Sequence, residues 1–433
     1  MKPHILLTLT KDVDPGQIPY WEDVAQRKAK APNHITPAVD EVVDNYGHSF
    51  QVTREYRPAK PNGWDHHERE SKFDRTYRLI LQQNTDIPPA LVKDIRVIPN
   101  VEAVTPGRVA TAELPQMMVK SFSLDTDMRS RQAIYLPEAH DYSQGDAEIT
   151  VAVLDTGIDL DHPELKDVLL PGYDFVDILD GAGKFLGDYL GYDEDPEDEV
   201  GHGTHVAGII AGQGLNMPLG VVPECKILPV RVLGAMQRGA KKVGAGLVDN
   251  INSGIKWAID QGAHVINMSL GIEHTDGGLP HEDVVNYARR KGVSIVAASG
   301  NDGQEHLYYP GALPHVIAVG ALDESGDITS FSTYGKQVDF AAPGTDIYST
   351  YIGNDYGFST GTSHASPFVA GAIALLKSYA RQKHDTDLSD RQIKYLLKHT
   401  ADKLDRRFKH PKAGFGKLNV LDALRLLDHK LTA

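Results

Sequence analysis

From Ala147 onward, short runs of apolar, β-branched residues alternate with longer stretches that carry apolar residues at helical spacing. Apolar strands separated by helices are typical of a parallel sheet that is covered on both faces. In such folds, ligands and catalytic groups collect at the carboxyl ends of the strands. The pattern therefore predicts an α/β domain with its site at that edge. The runs are Ile149–Leu154, His205–Ala211, Lys226–Val232, Val248–Asp260, Val265–Leu270, Val284–Lys291, Ser294–Ala298, Val316–Val319, Val338–Phe340 and Ser363–Arg381.

The first part of the chain has a different order of elements, β-α-β-β-α-β, which is the split βαβ pattern of ferredoxin-like domains. A chain of 433 residues is too long for one ordinary core. We therefore predict a smaller ferredoxin-like α+β domain over residues 1–115, a linker over 116–130 and a large domain over 131–433. The elements of the small domain are predicted at His4–Thr10, Ile35–Asn45, Ser49–Tyr56, Tyr77–Gln82, Pro88–Ile98 and Val101–Leu114.

The composition argues against several classes of protein. The net charge of -15 disfavours a general nucleic-acid binder, because phosphate binding needs clustered Lys and Arg. No window approaches the roughly 20 apolar residues that cross a bilayer, and the apolar run near the N-terminus is too short for a signal peptide. The single cysteine, Cys225, excludes an intramolecular disulfide. We expect a cytoplasmic protein without nucleic-acid or membrane partners.

Three short motifs carry candidate chemistry, and each is ambiguous alone. Asp155 ends an apolar strand, where a buried carboxylate needs a partner, so it fits a catalytic acid, a metal ligand or a helix cap. His202 lies between two glycines that allow close backbone approach, whereas His205, one turn further, fits a hydrogen-bonded core residue. The pair lacks the spacing and the Glu of a zincin helix. Ser363 opens a buried helix, near unpaired N–H groups that could stabilise an oxyanion, although an N-cap serine is the commoner use.

Taken together, the motifs are far more specific. They occur in the order Asp, His, Ser, which is the order in subtilisin. Asp155-Thr-Gly, His202-Gly-Thr-His and Gly361-Thr-Ser363-His-Ala-Ser-Pro resemble the three signature blocks of the subtilase family, peptidase family S8. The resemblance covers roughly residues 130 to 425 and implies a subtilisin-like three-layer domain that hydrolyses polypeptides. It makes Ser363 the nucleophile, His202 the proton carrier and Asp155 the residue that orients the histidine.

The resemblance also implies the other groups of the site. Asn301, which follows the run Val293–Ala298, would be the side-chain donor of the oxyanion hole. Two segments would wall the pocket for the residue before the scissile bond and pair with an extended substrate. No cofactor is required for the chemistry. The pocket residues are expected to be Ser269, Leu270, Gly271, Ala298, Ser299 and Gly300.

Three departures from the family pattern bear on specificity and on metal binding. Tyr308 stands where a small residue often floors the pocket, so we expect a preference for small or medium apolar side chains. His364 replaces the methionine usual after the nucleophile. The stretch Gln213–Gly220, where subtilisins bind calcium, is short and poor in carboxamides. The acidic run Asp188–Glu199 is expected to be a solvated loop, although it could offer calcium, as a structural ion, a different oxygen cage.

The N-terminal region resembles the subtilase propeptide, an intramolecular chaperone and inhibitor, which implies a zymogen. Its last strand and tail, Val101–Leu114, would lie in the active-site groove as a product does. Self-cleavage is then expected between Glu113 and Ser123, with Met117 or Met118 fitting an apolar pocket better than Glu113. The alternative is a permanent domain for partner binding or regulation.

Two other functions fit parts of the sequence. The first is a subtilase-fold binding or regulatory protein that has lost turnover, although all four residues needed for the chemistry are present. The second is a metal-dependent hydrolase that uses a carboxylate and histidine cluster near the first motif. Its ligands would be Asp155, Asp159, Asp161 and His162.

Overall fold

The computed structural model describes residues 2–112, 128–179, 183–239, 241–273 and 279–432. The self-cleavage region expected between Glu113 and Ser123, including Met117 and Met118, lies outside the described residues. So does most of the predicted linker over residues 116–130. Within the described ranges, a small antiparallel sheet precedes a larger parallel one.

The first sheet has four antiparallel strands in the order β2-β3-β1-β4, as the ferredoxin-like prediction requires. Two helices, α2 and α4, pack on it and share one apolar core with it. The hydroxyl of Thr36 caps α2 by accepting the N–H of Val39, and Pro37 follows at the first helical position. The elements are β1 (His4–Leu9), α1 (Trp21–Ala25), α2 (Pro37–Asn45), β2 (Phe50–Arg54), α3 (His66–Glu70), a 3₁₀ turn (Phe73–Arg75), β3 (Thr76–Leu81), α4 (Pro89–Arg96), β4 (Val101–Pro106) and β5 (Val109–Ala112).

The extended segment predicted over Val101–Leu114 is two strands that belong to different sheets. Strand β4 completes the first sheet, and β5 pairs with a strand of the second domain. Gly107 lies between the two strands, and a Cβ on it would lie 2.1 Å from ring atoms of His4. Both parts of the segment that was predicted to be extended are therefore strands, separated by Gly107 and Arg108.

The second domain is built on seven strands in the order β17-β16-β14-β12-β6-β9-β7, and every neighbouring pair is parallel. The predicted α/β fold with a mainly parallel sheet is therefore confirmed. The elements are α5 (Arg129–Gln132), α6 (Leu136–Ala139), β6 (Thr150–Asp155), β7 (Tyr173–Asp174), β8 (Phe185–Leu186), α7 (His202–Ala211), β9 (Lys226–Arg231), β10 (Gly234–Arg238), β11 (Lys241–Leu247), α8 (Val248–Asp260), β12 (Val265–Met268), β13 (Ile272–Glu273), α9 (Glu282–Lys291), β14 (Ser294–Ala298), β15 (Tyr308–Tyr309), β16 (Val316–Leu322), β17 (Val338–Pro343), β18 (Ile347–Tyr351), β19 (Asp355–Ser359), α10 (Thr362–His384), α11 (Asp390–Thr400) and α12 (Val420–Thr432).

The sheet is buried on both faces, which explains why its strands are apolar throughout. Val151 and Val153 of β6 pack toward α7, α10, α11 and α12, whereas Ala152 and Leu154 pack toward α8 and α9. Successive side chains of a strand point to opposite faces, so a strand between two helical layers needs apolar residues at every position. Helix α10 is the centre of its layer, since every residue from Thr362 to Ala380 is buried. No helix in the described ranges is both long and apolar enough to span a membrane.

The N-terminal domain docks on α8 and α9 through apolar and charged contacts. Tyr56 and Phe73 belong to the same apolar cluster as Tyr287 of α9. Glu68 of α3 pairs with Lys256 of α8 at 2.7 Å, and both side chains are almost completely buried. An ion pair that water does not reach is screened far less than a surface pair. The two domains therefore share one desolvated interface.

A buried charge network forms the centre of this interface. Arg78 of β3 binds Glu55 through Nε at 2.9 Å and Asp249 of α8 through Nη2 at 2.5 Å. His4 contacts the other oxygen of Asp249 at 3.1 Å, and Ser253 donates to Glu55 at 3.0 Å. Buried charges are tolerated only when they are paired and hydrogen-bonded. Arg78 is thus the cation that two buried carboxylates, one from each domain, require.

We expect Arg78→Ala to lower the free energy of unfolding by about 3 to 5 kcal/mol, because Glu55 and Asp249 would stay buried without their cation. Urea unfolding followed by tryptophan fluorescence, in a Ser363→Ala background that excludes self-digestion, measures the loss. The matched control is Arg57→Ala, because the side chain of Arg57 is 46% exposed in its ion pairs and should contribute about 1 kcal/mol or less. Equal losses in the two variants would contradict the expectation.

Candidate active site

Three neighbouring strands deliver the predicted site residues to one edge of the sheet. Asp155 is the last residue of β6, Ser269 directly follows β12, and Asn301 lies three residues after the end of β14. These strands are adjacent and parallel, so their carboxyl ends meet at the same edge. The N-terminus of α10, which carries Ser363, is at this edge as well, because Ser363 binds Ser269.

Asp155 and His202 are in direct contact. His202 Nδ1 lies 2.6 Å from Asp155 Oδ1, and the Thr156 N–H donates to the same oxygen at 2.8 Å. Both side chains are fully buried. A carboxylate at Nδ1 makes that nitrogen the donor and leaves Nε2 as an acceptor. Nε2 of His202 is buried and has no hydrogen-bond partner in the part of the chain that the structure describes.

The two glycines around His202 are required by the backbone. Gly201 precedes α7 with φ of 98°, a left-handed conformation that side chains disfavour. A Cβ on Gly203 would lie 2.1 Å from the carbonyl oxygen of Gly157, in the turn that follows Asp155. Helix α7 can therefore approach the end of β6 closely enough for the histidine to reach the aspartate.

The pKa of His202 is set by opposing effects. Burial lowers it, but the charge of Asp155 and its hydrogen bond outweigh that penalty, and the charge of Asp198 adds to them. The net result is that the pKa of His202 lies above its ordinary value. The imidazole is therefore a stronger base than a free histidine.

Asp198 departs from the expectation that the acidic run Asp188–Glu199 is a solvated loop. Its side chain is buried and accepts hydrogen bonds at the start of α7, and burial raises its pKa against the effect of those bonds. The available signal in the sequence was its position four residues before His202, where a carboxylate can bind the free N–H groups of a helix start. Most of the other acidic residues of the run are exposed, as expected.

Ser363 is the second residue of α10, and its hydroxyl donates to the carbonyl of Ser269 at 3.1 Å. The structure therefore does not join Ser363 to His202 by a hydrogen bond. The ring of His364, the next residue, lies 5.5 Å from the ring of His202 between centroids, which places the start of α10 beside the histidine. Ser269 also binds the carbonyl of Ser363 through its own hydroxyl at 2.7 Å, which anchors the start of the helix on the sheet.

The carboxamide of Asn301 is oriented by Thr362. The N–H and the hydroxyl of Thr362 both lie 2.9 Å from Asn301 Oδ1. Because a backbone N–H can only donate, the atom that faces it is the oxygen, and the NH₂ group points the other way. The N–H of Ser363 lies in the first turn of α10, whose N–H groups have no partner within the helix. The arrangement offers two donors, one from each residue.

A cavity of about 240 Å³ lies beside Ser363. Five of the six predicted pocket residues line it, whereas the sixth, Ser299, is buried and donates its hydroxyl to the carbonyl of Thr333. Arg238 and Asp302 were not predicted, since nothing in their local sequence marks them as pocket residues. The lining residues are Ala112, Arg238, Ser269, Leu270, Gly271, Ala298, Gly300, Asn301, Asp302, Tyr308, Thr362 and Ser363.

Tyr308 forms one wall of this cavity. A Cβ on Gly300 would lie 2.7 Å from the Tyr308 ring, and one on Gly271 would lie 3.4 Å from Tyr308 Cβ. The aromatic residue is thus packed against both glycines of the two wall segments. Its hydroxyl donates to Asp302 at 3.4 Å, and Asp302 also accepts from Thr333 at 2.5 Å. The carboxylate is held in the wall by these bonds.

Strand β5 of the N-terminal region lies along the same groove. It pairs antiparallel with β11, with Ala110 opposite Gly246 and Ala112 opposite Gly244. Ala110 is fully buried, and Ala112 lines the cavity beside Ser363. An extended peptide that adds a strand to a sheet edge is the usual way in which clefts of this kind bind polypeptide chains.

Two further histidines lie behind the site. His205 Nε2 lies 3.0 Å from the carbonyl oxygen of Gly357, which fits the predicted hydrogen-bonded core residue, and burial lowers its pKa to about 3. His364 Nε2 lies 2.6 Å from the hydroxyl of Ser359. Burial lowers the pKa of His364 well below its ordinary value, and the charges of His205 and His202 lower it further. Both rings are neutral near neutral pH.

The residues proposed for a metal-dependent hydrolase have other partners. Asp159 accepts the N–H groups of Gly353 and Asn354, and His162 Nε2 lies 3.0 Å from the carbonyl oxygen of Asp355. Nowhere in the described ranges do three His, Cys, Asp or Glu side chains meet in a way that could hold a metal ion. The cluster therefore acts as a set of loop contacts in this structure.

In the two stretches considered for calcium, some side chains contact other groups of the protein. In the acidic run, Glu199 accepts the N–H of Asp188 at 2.9 Å and pairs with Arg231 at 3.1 Å. In the stretch Gln213–Gly220, the amide of Asn216 donates to the hydroxyl of Tyr356 at 3.3 Å. Calcium binds through six to eight oxygens, and a structural calcium ion in either stretch stays a prediction.

Comparisons with known proteins agree with this geometry. The family model described as Subtilase family, Peptidase_S8, matches residues 146–417. A thermophilic serine proteinase from Bacillus sp. (strain AK1) is 40% identical over 296 residues, which span 68% of this chain and 66% of that protein. Thermitase from Thermoactinomyces vulgaris is 39% identical over 275 residues, or 63% of this chain and 88% of thermitase. Subtilisin Savinase from Lederbergia lenta is 40% identical over 272 residues, or 63% of this chain and 90% of that protein.

The matched region contains the parallel sheet, the contact between Asp155 and His202, and the start of α10 with Ser363. It covers well over half of the chain, and the identity is far above the level at which folds alone are shared. The chain therefore belongs to the subtilase family of serine endopeptidases.

Proposed function

We propose that this chain hydrolyses peptide bonds through a triad of Asp155, His202 and Ser363 and an acyl-enzyme intermediate. The observation that carries the proposal is the buried 2.6 Å contact between Asp155 and His202 beside the helix start that holds Ser363. A carboxylate at Nδ1 and an unpartnered Nε2 are what a histidine needs to take a proton from a hydroxyl.

Acylation begins when the Ser363 hydroxyl turns from the Ser269 carbonyl toward His202 Nε2. The imidazole accepts the hydroxyl proton as Oγ attacks the scissile carbonyl carbon, and Asp155 stabilises the imidazolium that forms. The new oxyanion is stabilised by the NH₂ of Asn301 and the N–H of Ser363. Loss of one such donor costs about 3 kcal/mol of transition-state stabilisation, a magnitude known from subtilisin.

Collapse of the tetrahedral species breaks the C–N bond, and His202 gives its proton to the leaving amine. Water then enters, loses a proton to the same nitrogen and attacks the acyl carbon. The bond between that carbon and Ser363 Oγ breaks, the carboxylic acid product leaves, and the proton returns to Oγ. In each of these steps, the imidazole of His202 accepts or donates the proton. Because His202 must be neutral to act as a base and its pKa is raised, activity falls as the pH drops through that raised pKa.

Extended polypeptides are the substrates that the groove suits best. Strand β5 pairs with one edge of β11, and the backbone groups of that edge would become available to a substrate once β5 leaves. Backbone pairing gives affinity without regard to sequence, and the cavity beside Ser363 then selects one side chain. The walls formed by Gly271, Gly300 and Tyr308 favour a small or medium apolar side chain there.

The chain is made as a zymogen in this proposal, with residues 1–115 as the inhibitory domain. Support comes from β5, which occupies the groove where a substrate would pair, and from the charged interface around Arg78 that holds the domain in place. Self-cleavage after β5 would cut the covalent link between the two domains, so that the N-terminal domain can leave and uncover the edge of β11. The site of that cleavage stays the prediction made from the sequence.

The proposal is tested by reaction with a serine-directed fluorophosphonate. We expect the wild-type protein to become labelled and to show a self-cleaved form by mass spectrometry, because Ser363 is activated by His202. Ser363→Ala should lose both, while Ser366→Ala, which removes a nearby hydroxyl from the same helix, should keep the label. A wild-type protein that folds but takes no label would favour a subtilase-fold binding protein without turnover.

We expect Ala110→Asp to shorten the lag before peptidase activity appears in freshly purified, unprocessed chain. Ala110 is fully buried in the strand that pairs with β11, so a carboxylate there would weaken the tail's hold on the groove. The lag is read from cleavage of a chromogenic peptide over time. Ala103→Asp, at an exposed position of β4, is the matched control and should leave the lag unchanged. An equal lag in all three proteins would count against inhibition by this strand.

We expect Tyr308→Gly to shift cleavage toward large aromatic residues before the scissile bond, because removal of the ring opens the wall between Gly271 and Gly300. The ratio of kcat/KM for Phe over Ala peptides should rise about 10- to 100-fold, the range that a hydrophobic pocket usually gives. A peptide panel with one varied position measures it. Tyr356→Gly, a tyrosine outside the cavity, is the control, and an unchanged ratio for Tyr308→Gly would refute the assignment of this wall.

A further inference from the structure

We propose that Asp198 is a positioning residue of the active site, a second buried carboxylate that holds the end of β6 and the start of α7 together. Its negative charge also acts on His202 from behind the helix start. This inference rests on the proposed function, since it assumes that His202 is the base.

Asp198 accepts five hydrogen bonds, all from residues next to the site. Thr156, Val200 and Gly201 donate to Oδ1 at 2.8 to 2.9 Å. The N–H and the hydroxyl of Thr204 donate to Oδ2 at 3.0 and 2.7 Å. Five donors occupy all of the roughly four lone-pair sites of a carboxylate and favour its ionised form, against the effect of burial, which raises the pKa of Asp198.

These bonds connect the two elements that carry the acid and the base. Thr156 follows Asp155 in the chain, and its hydroxyl donates to Asp198 while it accepts the N–H of Gly203 at 3.0 Å. Gly203 follows His202. The backbone beside the aspartate is thereby tied to the backbone beside the histidine through one hydroxyl and one carboxylate. A shift of either element would break these hydrogen bonds, which therefore help to keep His202 Nδ1 at 2.6 Å from Asp155 Oδ1.

The charge of Asp198 is offset by hydrogen bonds and not by a cation in the part of the chain that the structure describes. Among the described residues, no Lys or Arg forms an ion pair with it, and the residue is only 4% exposed. A buried carboxylate without a cation is costly unless hydrogen bonds replace its hydration, and a neutral side chain of similar size would avoid that cost. The nearby group that this negative charge stabilises is the imidazole of His202, which becomes positively charged during the reaction.

The groups that face His202 define what a change of charge would do. They are Asp155 at the end of β6, Asp198 in the loop before α7, His205 on α7, which also carries His202, and His364 on α10. Both other histidines are neutral near neutral pH, so the two carboxylates supply the field. Each raises the pKa of His202, and removal of one must lower it.

The test compares the pH dependence of kcat/KM in Asp198→Asn and Thr156→Val, with active sites counted by fluorophosphonate labelling. Asp198→Asn removes the charge and turns an amide toward N–H donors. We expect kcat/KM to fall about 10- to 100-fold at the optimum, as small displacements of catalytic groups commonly cause, and the acid limb to move to lower pH. Thr156→Val breaks the hydrogen bonds of the Thr156 hydroxyl but keeps the charge, so kcat/KM should fall with the acid limb in place.

The control is Asp195→Asn, which removes one charge from the exposed part of the same loop and should leave both quantities unchanged because water and salt screen it. An acid limb that stays in place in Asp198→Asn overturns the electrostatic role, and an unchanged kcat/KM overturns the positioning role. If Asp198→Asn does not fold, Thr156→Val decides, and wild-type kcat/KM in that variant overturns the proposal. Failure of the wild-type protein to label would instead remove the proposed function itself.

Discussion

A carboxylate and an imidazole that are both buried away from water each need a hydrogen-bond partner. Asp155 and His202 supply this partner to each other, and the domain is arranged to bring them into contact. The parallel sheet brings the carboxylate to its edge. Glycines at 201 and 203 let helix α7 come close enough for the histidine. Around this fixed pair, Ser269 and Asn301 follow the two next strands of the sheet, β12 and β14, and Ser363 lies at the start of α10.

The same logic of shared burial explains how the N-terminal domain is held. Arg78 forms ion pairs with two carboxylates, Glu55 from its own domain and Asp249 from α8, in a region closed to solvent. Charged contacts of this kind fix the relative position of two surfaces better than apolar contacts alone, because a small slip leaves a charge unpaired. Strand β5 can then reach β11 in one register, with Ala112 beside the cavity.

Much of the fold and of the site followed from local patterns. The apolar runs predicted the parallel strands because strands between two helical layers need apolar residues throughout, and the ferredoxin-like order of the first domain was predicted for similar reasons. The patterns failed where distant residues intervene. The pattern over Val101–Leu114 did not show that its two strands join different sheets, and Asp198 is buried although it belongs to an acidic run. Arg238 reaches the cavity from a hairpin whose sequence carries no such sign.

The order of Asp155, His202 and Ser363 along the chain, and the glycines and small residues around them, were enough to identify the type of chemistry. Those motifs indicate the local backbone conformation that each of these residues needs. Which hydroxyl bonds which carbonyl, how Asn301 is turned by Thr362, and that Ser299 faces Thr333 instead of the cavity depended on the packed structure. The physical reason is that these hydrogen-bond partners come from segments tens of residues apart, and only folding brings their atoms within about 3 Å.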